Sequence, residues 1–320
     1  MQELQRTQHR SQHIAIIGTG LMGASFAAAL RANGFKGRIS GCARRQETVD
    51  RALQLGFIDS GSTSAADTVK GADLVLLAVP MMTIRATLEE IEPHLGAECI
   101  VTDAGSVKGQ VLEDAQQVLG RLVNVVPGHP LAGKEHSGVD AADETLYSGQ
   151  LVILTPDEST SATALAEVTA LWQLCGARVE VLQADHHDRV LAATSHLPHV
   201  VAFSIVDMLS QHQARDEVFR YSAGGFRDFT RIASGDPVMW RDICLSNGEP
   251  VSEILASLIE HLQKVQQLID GGDAEALQAI FNNAKTTRDA LIVKYQRDMT
   301  AQQAARRSAA GTGAAADDSN

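Results

Sequence analysis

The stretch IAIIGTGLMGASFAAAL, residues 14–30, narrows the possible folds of this chain more than any other. Gly18, Gly20 and Gly23 follow a short apolar run with strand character and open a long alanine-rich helical pattern. In that setting the first glycine permits a tight turn and the second lets backbone approach a pyrophosphate. The third lets the helix pack closely on the strand. Thr19, Leu21 and Met22 complete the turn. The helix N-terminus beyond it offers unpaired amides and the positive end of its dipole to phosphate. The stretch predicts a dinucleotide-binding strand–turn–helix, the other reading being a glycine turn without a ligand.

The periodicity of the remaining chain supports the first reading. Short apolar runs at 13–18, 38–43, 73–79, 99–103, 122–126 and 150–155 alternate with amphipathic stretches at 21–33, 46–56, 83–94 and 107–119. Near-continuous apolar strands separated by helices imply a mostly parallel sheet covered on both faces. From about residue 185 the strand signals stop, and helical periodicities run through 186–212, 216–222, 237–270 and 273–298. The expected organisation is a flexible segment 1–12, an α/β domain 13–184, an all-α domain 185–298 and a disordered tail 299–320. The tail is expected from its content of small and polar residues.

Charge and composition exclude some partners. With 39 acidic against 27 basic residues the net charge is −12, and the basic residues form no stripe, so nucleic acid is not an expected partner. No apolar run approaches the roughly 20 residues a membrane span needs, and the polar first dozen residues lack the apolar core of a secretory signal. Cys42, Cys99, Cys175 and Cys244 lie far apart with no paired spacing, which suits reduced thiols in the cytoplasm and predicts no metal site.

The second strand pattern bears on which dinucleotide is bound. Binders of NAD usually place an acidic residue there for the ribose hydroxyls. Here Ala43, Arg44 and Arg45 stand instead. Two guanidinium groups suit a 2′-phosphate, so NADP is expected over NAD; the plainer alternative is that the arginines open a solvated helix. Val79 and Pro80 follow the run 73–79, and Asp103, Ser106 and Lys108 follow the run 99–103, all at strand ends where open α/β sheets bind ligands. Ser106 also suits the N-cap of the next helix.

Two histidine-bearing segments lie beyond. PGHPLAGKEHSG (127–138) holds His129 between Gly128 and Pro130, with Glu135 and His136 following, and TSHLPH (194–199) sets His196 and His199 around Leu197-Pro198. At about 100° per residue, Asp188, Ala192, Ser195 and His199 share one helical face and His196 lies to the side. Pro198 would bend that helix and could aim His199.

GTGLMGAS, TDAGSVK, GHPLAGKEHSG, HDRVLAATSHLPH and FRDFTRIASGDPVMWRDI together resemble the prephenate/arogenate (cyclohexadienyl) dehydrogenase family of tyrosine biosynthesis, from about His13 to Arg297. The resemblance implies a Rossmann domain followed by a helical dimerisation domain, hence a homodimer. It also implies oxidative decarboxylation of a cyclohexadienol, prephenate or arogenate, with hydride passing to NAD(P). His129 would take the ring-hydroxyl proton, a role histidine can fill with little tuning of its pKa, and Ser106 would bond the same hydroxyl. Arg231 would hold a substrate carboxylate and His199 would lie near the substrate side chain. Asp188 would orient Arg231 or a histidine. His196 would join the substrate site or serve as a structural histidine, and Trp240 would wall the pocket or pack in the core. The alternatives are a β-hydroxyacid dehydrogenase, which would place a catalytic lysine where this chain has Asp188, His196 and His199, and a dinucleotide sensor without chemistry.

Overall fold

The structure, a computed structural model, describes residues 10–134 and 136–311. By internal packing it divides into two compact units, Met1–Ile254 and Leu255–Asn320.

Among the described residues the first unit holds nine strands: β1 (His13–Ile17), β2 (Arg38–Cys42), β3 (Ser60–Ser62), β4 (Leu74–Leu77), β5 (Ile100–Asp103), β6 (Val125–Val126), β7 (Gly128–Pro130), β8 (Leu151–Leu154) and β9 (Arg178–Val181). Six form a wholly parallel sheet in the order β3-β2-β1-β4-β5-β6. The remaining three form a second sheet, with β7 antiparallel and β9 parallel to β8. Helices α1 (Leu21–Ala32), α2 (Gln46–Gln54), α3 (Ala65–Thr68), α4 (Ile84–Ile91), α5 (Gly109–Leu119) and α6 (Ala162–Leu174) connect the strands.

Alternation along the strands explains why their sequences are apolar throughout. Ile14, Ile16, Leu74 and Leu76 face a core shared with Phe26, Leu30 and Trp172. Their neighbours Ala15, Ile17, Val75 and Leu77 face another with Ile84, Leu88 and Val111. Both faces are covered, as a parallel sheet requires. Three strands are invisible to periodicity for physical reasons. β3 (Ser-Gly-Ser) and β7 (Gly-His-Pro) have almost no apolar content, and β9 lies largely exposed at the edge of its sheet. Helix α6 is hidden because it is apolar around much of its circumference, being buried beneath Phe26 and Tyr147.

The second half is helical, as the loss of strand signals implies: α7 (Ala184–Leu191), α8 (Leu197–Ser210), α9 (Arg215–Arg220), α10 (Gly224–Thr230), α11 (Pro237–Ser246), α12 (Gly248–Asp270) and α13 (Ala274–Gly311). The periodicity at 237–270 is two helices, because Asn247 leaves helical geometry between α11 and α12. Contrary to the expectation that no apolar run approaches a membrane span, 184–210 is by length and composition long and apolar enough to cross a membrane. It carries His187, Asp188 and His196 into the protein interior.

At the chain ends, Arg10 and Ser11 donate backbone N–H bonds of 2.8–2.9 Å to the Glu167 carboxylate, so the segment expected to be flexible is anchored from residue 10. Residues 1–9 lie outside the described residues. The helix α13 runs through 299–311, where composition predicts a disordered tail, and 312–320 lie outside the described residues.

Candidate active site

The order of the large sheet reverses about β1, with β2 on one side and β4 on the other, and the crevice beyond their carboxyl ends is where such sheets bind ligands. Gly18 turns the chain there with φ +101°, and a Cβ at this position would meet the Ala78 carbonyl oxygen at 2.3 Å. At Gly23 a Cβ would lie 2.1 Å from the Gly18 oxygen, so helix and strand pack as closely as the motif demands. Gly20 differs: nothing lies within 4 Å of its Cβ position, and it caps α1 without a side-chain bond. The backbone is therefore open to an incoming phosphate. Thr19 Oγ1 is buried in the same turn with no hydrogen-bond partner, and Leu21 and Met22 are half-buried beside it. An open glycine and an orphaned hydroxyl at a helix N-terminus fit a dinucleotide. At the end of β2, Arg44 and Arg45 are exposed, and at the end of β4 Val79 is half-buried and Pro80 exposed.

Asp103 is engaged by the protein itself. It is buried at the end of β5, accepting from Gly105 N (2.7 Å), Gly128 N (3.0 Å) and Lys108 Nζ (2.5 Å). Lys108, fully buried, also donates to the Gly128 carbonyl at 2.7 Å. Burial draws the Lys108 pKa down, against the pull of Asp103 and Asp188. The pair pins the start of β7, and with it His129, to the loop that carries Ser106. Ser106 itself is half-buried and does not cap α5. That position is held by a carboxylate from another element: Asp188 accepts from Lys108 N and Gly109 N, each at 2.8 Å.

Asp188 is thus committed to the N-terminus of α5, and the group it orients is a histidine, not Arg231. His187 Nδ1 lies 2.8 Å from Asp188 Oδ1, and His187 Nε2 lies 2.9 Å from His129 Nδ1. Burial alone would raise the Asp188 carboxyl, but the bonds from His187, Lys108 and Gly109 together hold it below its ordinary value. His129 is held well below the ordinary histidine range by burial first, then by Lys108, His187 and His196. The motif implies a histidine with little tuning there, and the surroundings instead keep its base form dominant at neutral pH.

The TSHLPH segment bends in an unexpected way. Ala192–His196 forms a π-helical turn between α7 and α8, with Pro198 the second residue of α8. The extra residue per turn spoils the 100° arithmetic and brings His196 inward. His196 is 1% exposed, with Nδ1 3.0 Å from Asn247 Nδ2, and that amide also donates to the Asp188 carbonyl at 2.9 Å. Burial lowers the His196 pKa to about 4 against the opposing pull of Asp188. His199, half-buried, donates from Nδ1 to the Ser195 carbonyl at 2.8 Å and stacks on Trp240 with ring centroids 3.5 Å apart. Its pKa is lowered by burial and then by the charge of nearby Arg231, which stands exposed at the start of the turn Arg231–Ser234. Glu135 lies outside the described residues, and His136 is exposed.

Sequence reasoning misses two members, His187 and Asn247. His187 stands beside a chosen aspartate in HHDRV, and an Asn-Gly pair at 247–248 within a helical period signals a break, but only the folded chain brings both against Asp188.

A glycine turn at the reversal point of a parallel sheet, with a buried histidine pair beyond it, fits a nicotinamide-dependent dehydrogenase. The family model described as prephenate dehydrogenase, nucleotide-binding domain, matches residues 26–181, and that for the prephenate dehydrogenase dimerization domain matches 183–283. A cyclohexadienyl dehydrogenase of Zymomonas mobilis is 39% identical over 282 residues, 88% of this chain and 96% of that one. The crystal structure of prephenate dehydrogenase from A. aeolicus with hydroxyphenyl propionate and NAD+ is 40% identical with a TM-score of 0.82, covering 88% of this chain and 98% of that one. The arogenate dehydrogenase of Synechocystis follows at 28% identity and a TM-score of 0.75, covering 87% and 99%. The chain belongs to the prephenate dehydrogenase family.

Proposed function

We propose that this protein oxidatively decarboxylates prephenate, arogenate or both in tyrosine biosynthesis, with NADP preferred as hydride acceptor. The observation that carries the reading is the buried His129, held at the crevice edge by Asp103, Lys108 and His187. The dinucleotide would lie on the turn Gly18–Gly23 with its phosphates at the N-terminus of α1. Val79 and Pro80 would border it, and Arg44 and Arg45 would grip the 2′-phosphate. The chemistry a nicotinamide supplies when bound is acceptance of hydride from the ring carbon that bears the hydroxyl.

The chain's own residues supply the rest. His129, neutral at its buried position, accepts the hydroxyl proton, and Ser106 bonds the same hydroxyl and fixes its direction. The guanidinium of Arg231 holds a substrate carboxylate, with His199 and Trp240 forming the adjacent wall. Departure of the ring carboxylate as carbon dioxide leaves an aromatic ring, so that step needs little help from the protein. The β-hydroxyacid dehydrogenase and sensor readings are not favoured by relatives named cyclohexadienyl, prephenate and arogenate dehydrogenase.

A homodimer formed through the helical part, in the cytoplasm, completes the proposal. The matched dimerization model supports it, as do the large apolar side chains exposed in the second unit, among them Ile259, Leu262, Ile269 and Phe281.

The test is to follow reduced nicotinamide in four mixtures, prephenate or arogenate with NADP or NAD. Reduction with at least one acid, faster with NADP, is expected. Silence in all four with folded protein overturns the reading, and faster reduction with NAD overturns the role of Arg44 and Arg45.

A further inference from the structure

We propose that His187 is a positioning residue that fixes His129 in one tautomer, with the proton on Nδ1 and the lone pair of Nε2 turned toward the substrate. This role rests on the reading of His129 as the base and deepens it by assigning the group that makes it one.

The tautomers are set inward from the carboxylate. Asp188 accepts the amides of Lys108 and Gly109 at 2.8 Å, and an ionised carboxylate only accepts. The nitrogen 2.8 Å from Asp188 Oδ1, His187 Nδ1, is therefore a donor. In neutral His187 the other nitrogen, Nε2, must then accept, and the atom 2.9 Å away is His129 Nδ1. That nitrogen carries the proton, and the base capacity of His129 is confined to Nε2. The order Asp188–His187–His129 thus transmits the direction of a carboxylate through two rings to the reacting nitrogen.

The geometry is suited to this purpose. His187 is fully buried, the two rings meet edge to face with centroids 5.1 Å apart, and the π turn Ala192–His196 follows directly on the helix that carries His187. When His129 takes the substrate proton at Nε2, both its nitrogens carry hydrogen, and the Nδ1 bond to His187 is kept without rearrangement. Without His187 the Nδ1 proton of His129 would lack its partner, and the ring would gain by moving that proton to Nε2, where it blocks the reaction.

The test uses the full chain with His187→Phe and His187→Gln. Nitrogen-15 spectra of the histidine rings, assigned by loss of the His129 signals in His129→Asn, report the tautomer without any substrate. Wild type is expected to show a protonated Nδ1 and a bare Nε2 on His129. His187→Phe is expected to populate the other tautomer and to lower kcat about 10²-fold, with KM for the acid within about three-fold. In His187→Gln the side-chain amide can accept from His129 and donate to Asp188, and about ten-fold of the lost kcat should return.

A protonated Nε2 on His129 in wild type overturns the proposal. So does an unchanged His129 tautomer in His187→Phe, or a kcat in that variant equal to wild type. If His187→Phe does not fold, the wild-type spectrum and the glutamine variant decide the matter in the same terms. A protein inactive on both acids would refute the substrate reading while leaving the ring spectra to decide this one.

Discussion

At the scale of single residues, the site works by committing most of its polar atoms in advance. The carboxylates of Asp103 and Asp188 are fully engaged with backbone amides, Lys108 and His187. In the proposed reaction Arg231 grips the acid and His129 takes the proton, and these contributions should separate kinetically. Arg231→Ala is expected to raise KM for the acid by about 10- to 100-fold, the worth of one or two charge-assisted bonds, with a smaller effect on kcat. Steady-state kinetics with saturating cofactor checks this, and an unchanged KM removes Arg231 from the carboxylate role. The sequence names His129, Ser106, Arg231 and His199 through their motifs. It does not show that Asp103 is buried and bonded to Gly105, Lys108 and Gly128, because a strand-end position is shared by residues that face a ligand and residues that turn inward.

At the scale of elements, two backbone devices place these groups. One is the glycine turn, in which the three glycines carry different burdens. Gly20→Ala adds a methyl into open space, so the protein should fold with wild-type stability and lose dinucleotide affinity by at least about ten-fold. Gly23→Ala drives a methyl against the Gly18 carbonyl and Ile16, and should cost about 1–3 kcal/mol of stability. Urea unfolding and cofactor titration of both variants distinguish the two effects, and equal behaviour would show that the turn is not used as described. The other device is the π turn Ala192–His196. Regular helical spacing puts Asp188 and His199 on one face and leaves His196 aside. The extra residue in the turn draws His196 into the interior instead, where Asn247 meets it. Proline in the sequence announces a bend, but where the extra residue is absorbed depends on which carbonyls and side chains the neighbouring helices can satisfy.

At the scale of the whole molecule, the buried histidines tie stability to pH. Burial depresses His129, His196 and His199 in the folded chain, His196 from 6.5 to about 4, so the unfolded chain binds more protons across that interval. Their contribution is complete above the ordinary histidine value and is lost as pH falls through the folded one. For His196 the loss amounts to about 3 kcal/mol between pH 6.5 and about 4. Urea midpoints at fixed protein concentration should fall over that range, and His196→Gln should flatten the slope. A slope unchanged in that variant would mean that His196 is not held neutral by the fold. The division of the chain shows the same contrast between local and global information. Sequence periodicity separates strands from helices near residue 184, and the two family models meet there, yet packing gathers α7 to α11 into one compact unit with the sheets. The parallel sheet, the glycine turn, the helical second half and the identities of the residues expected to meet a ligand are all legible in the linear chain. Each of these is written in local periodicity or in a contiguous motif. The Asp188–His187–His129 order, the Asp103–Lys108 clasp on β7 and the inward turn of His196 exist only once the chain has packed. Those depend on hydrogen bonds between groups far apart in the chain, whose partners are chosen by burial: a polar group removed from water must find whichever partner the packed helices and strands bring within reach.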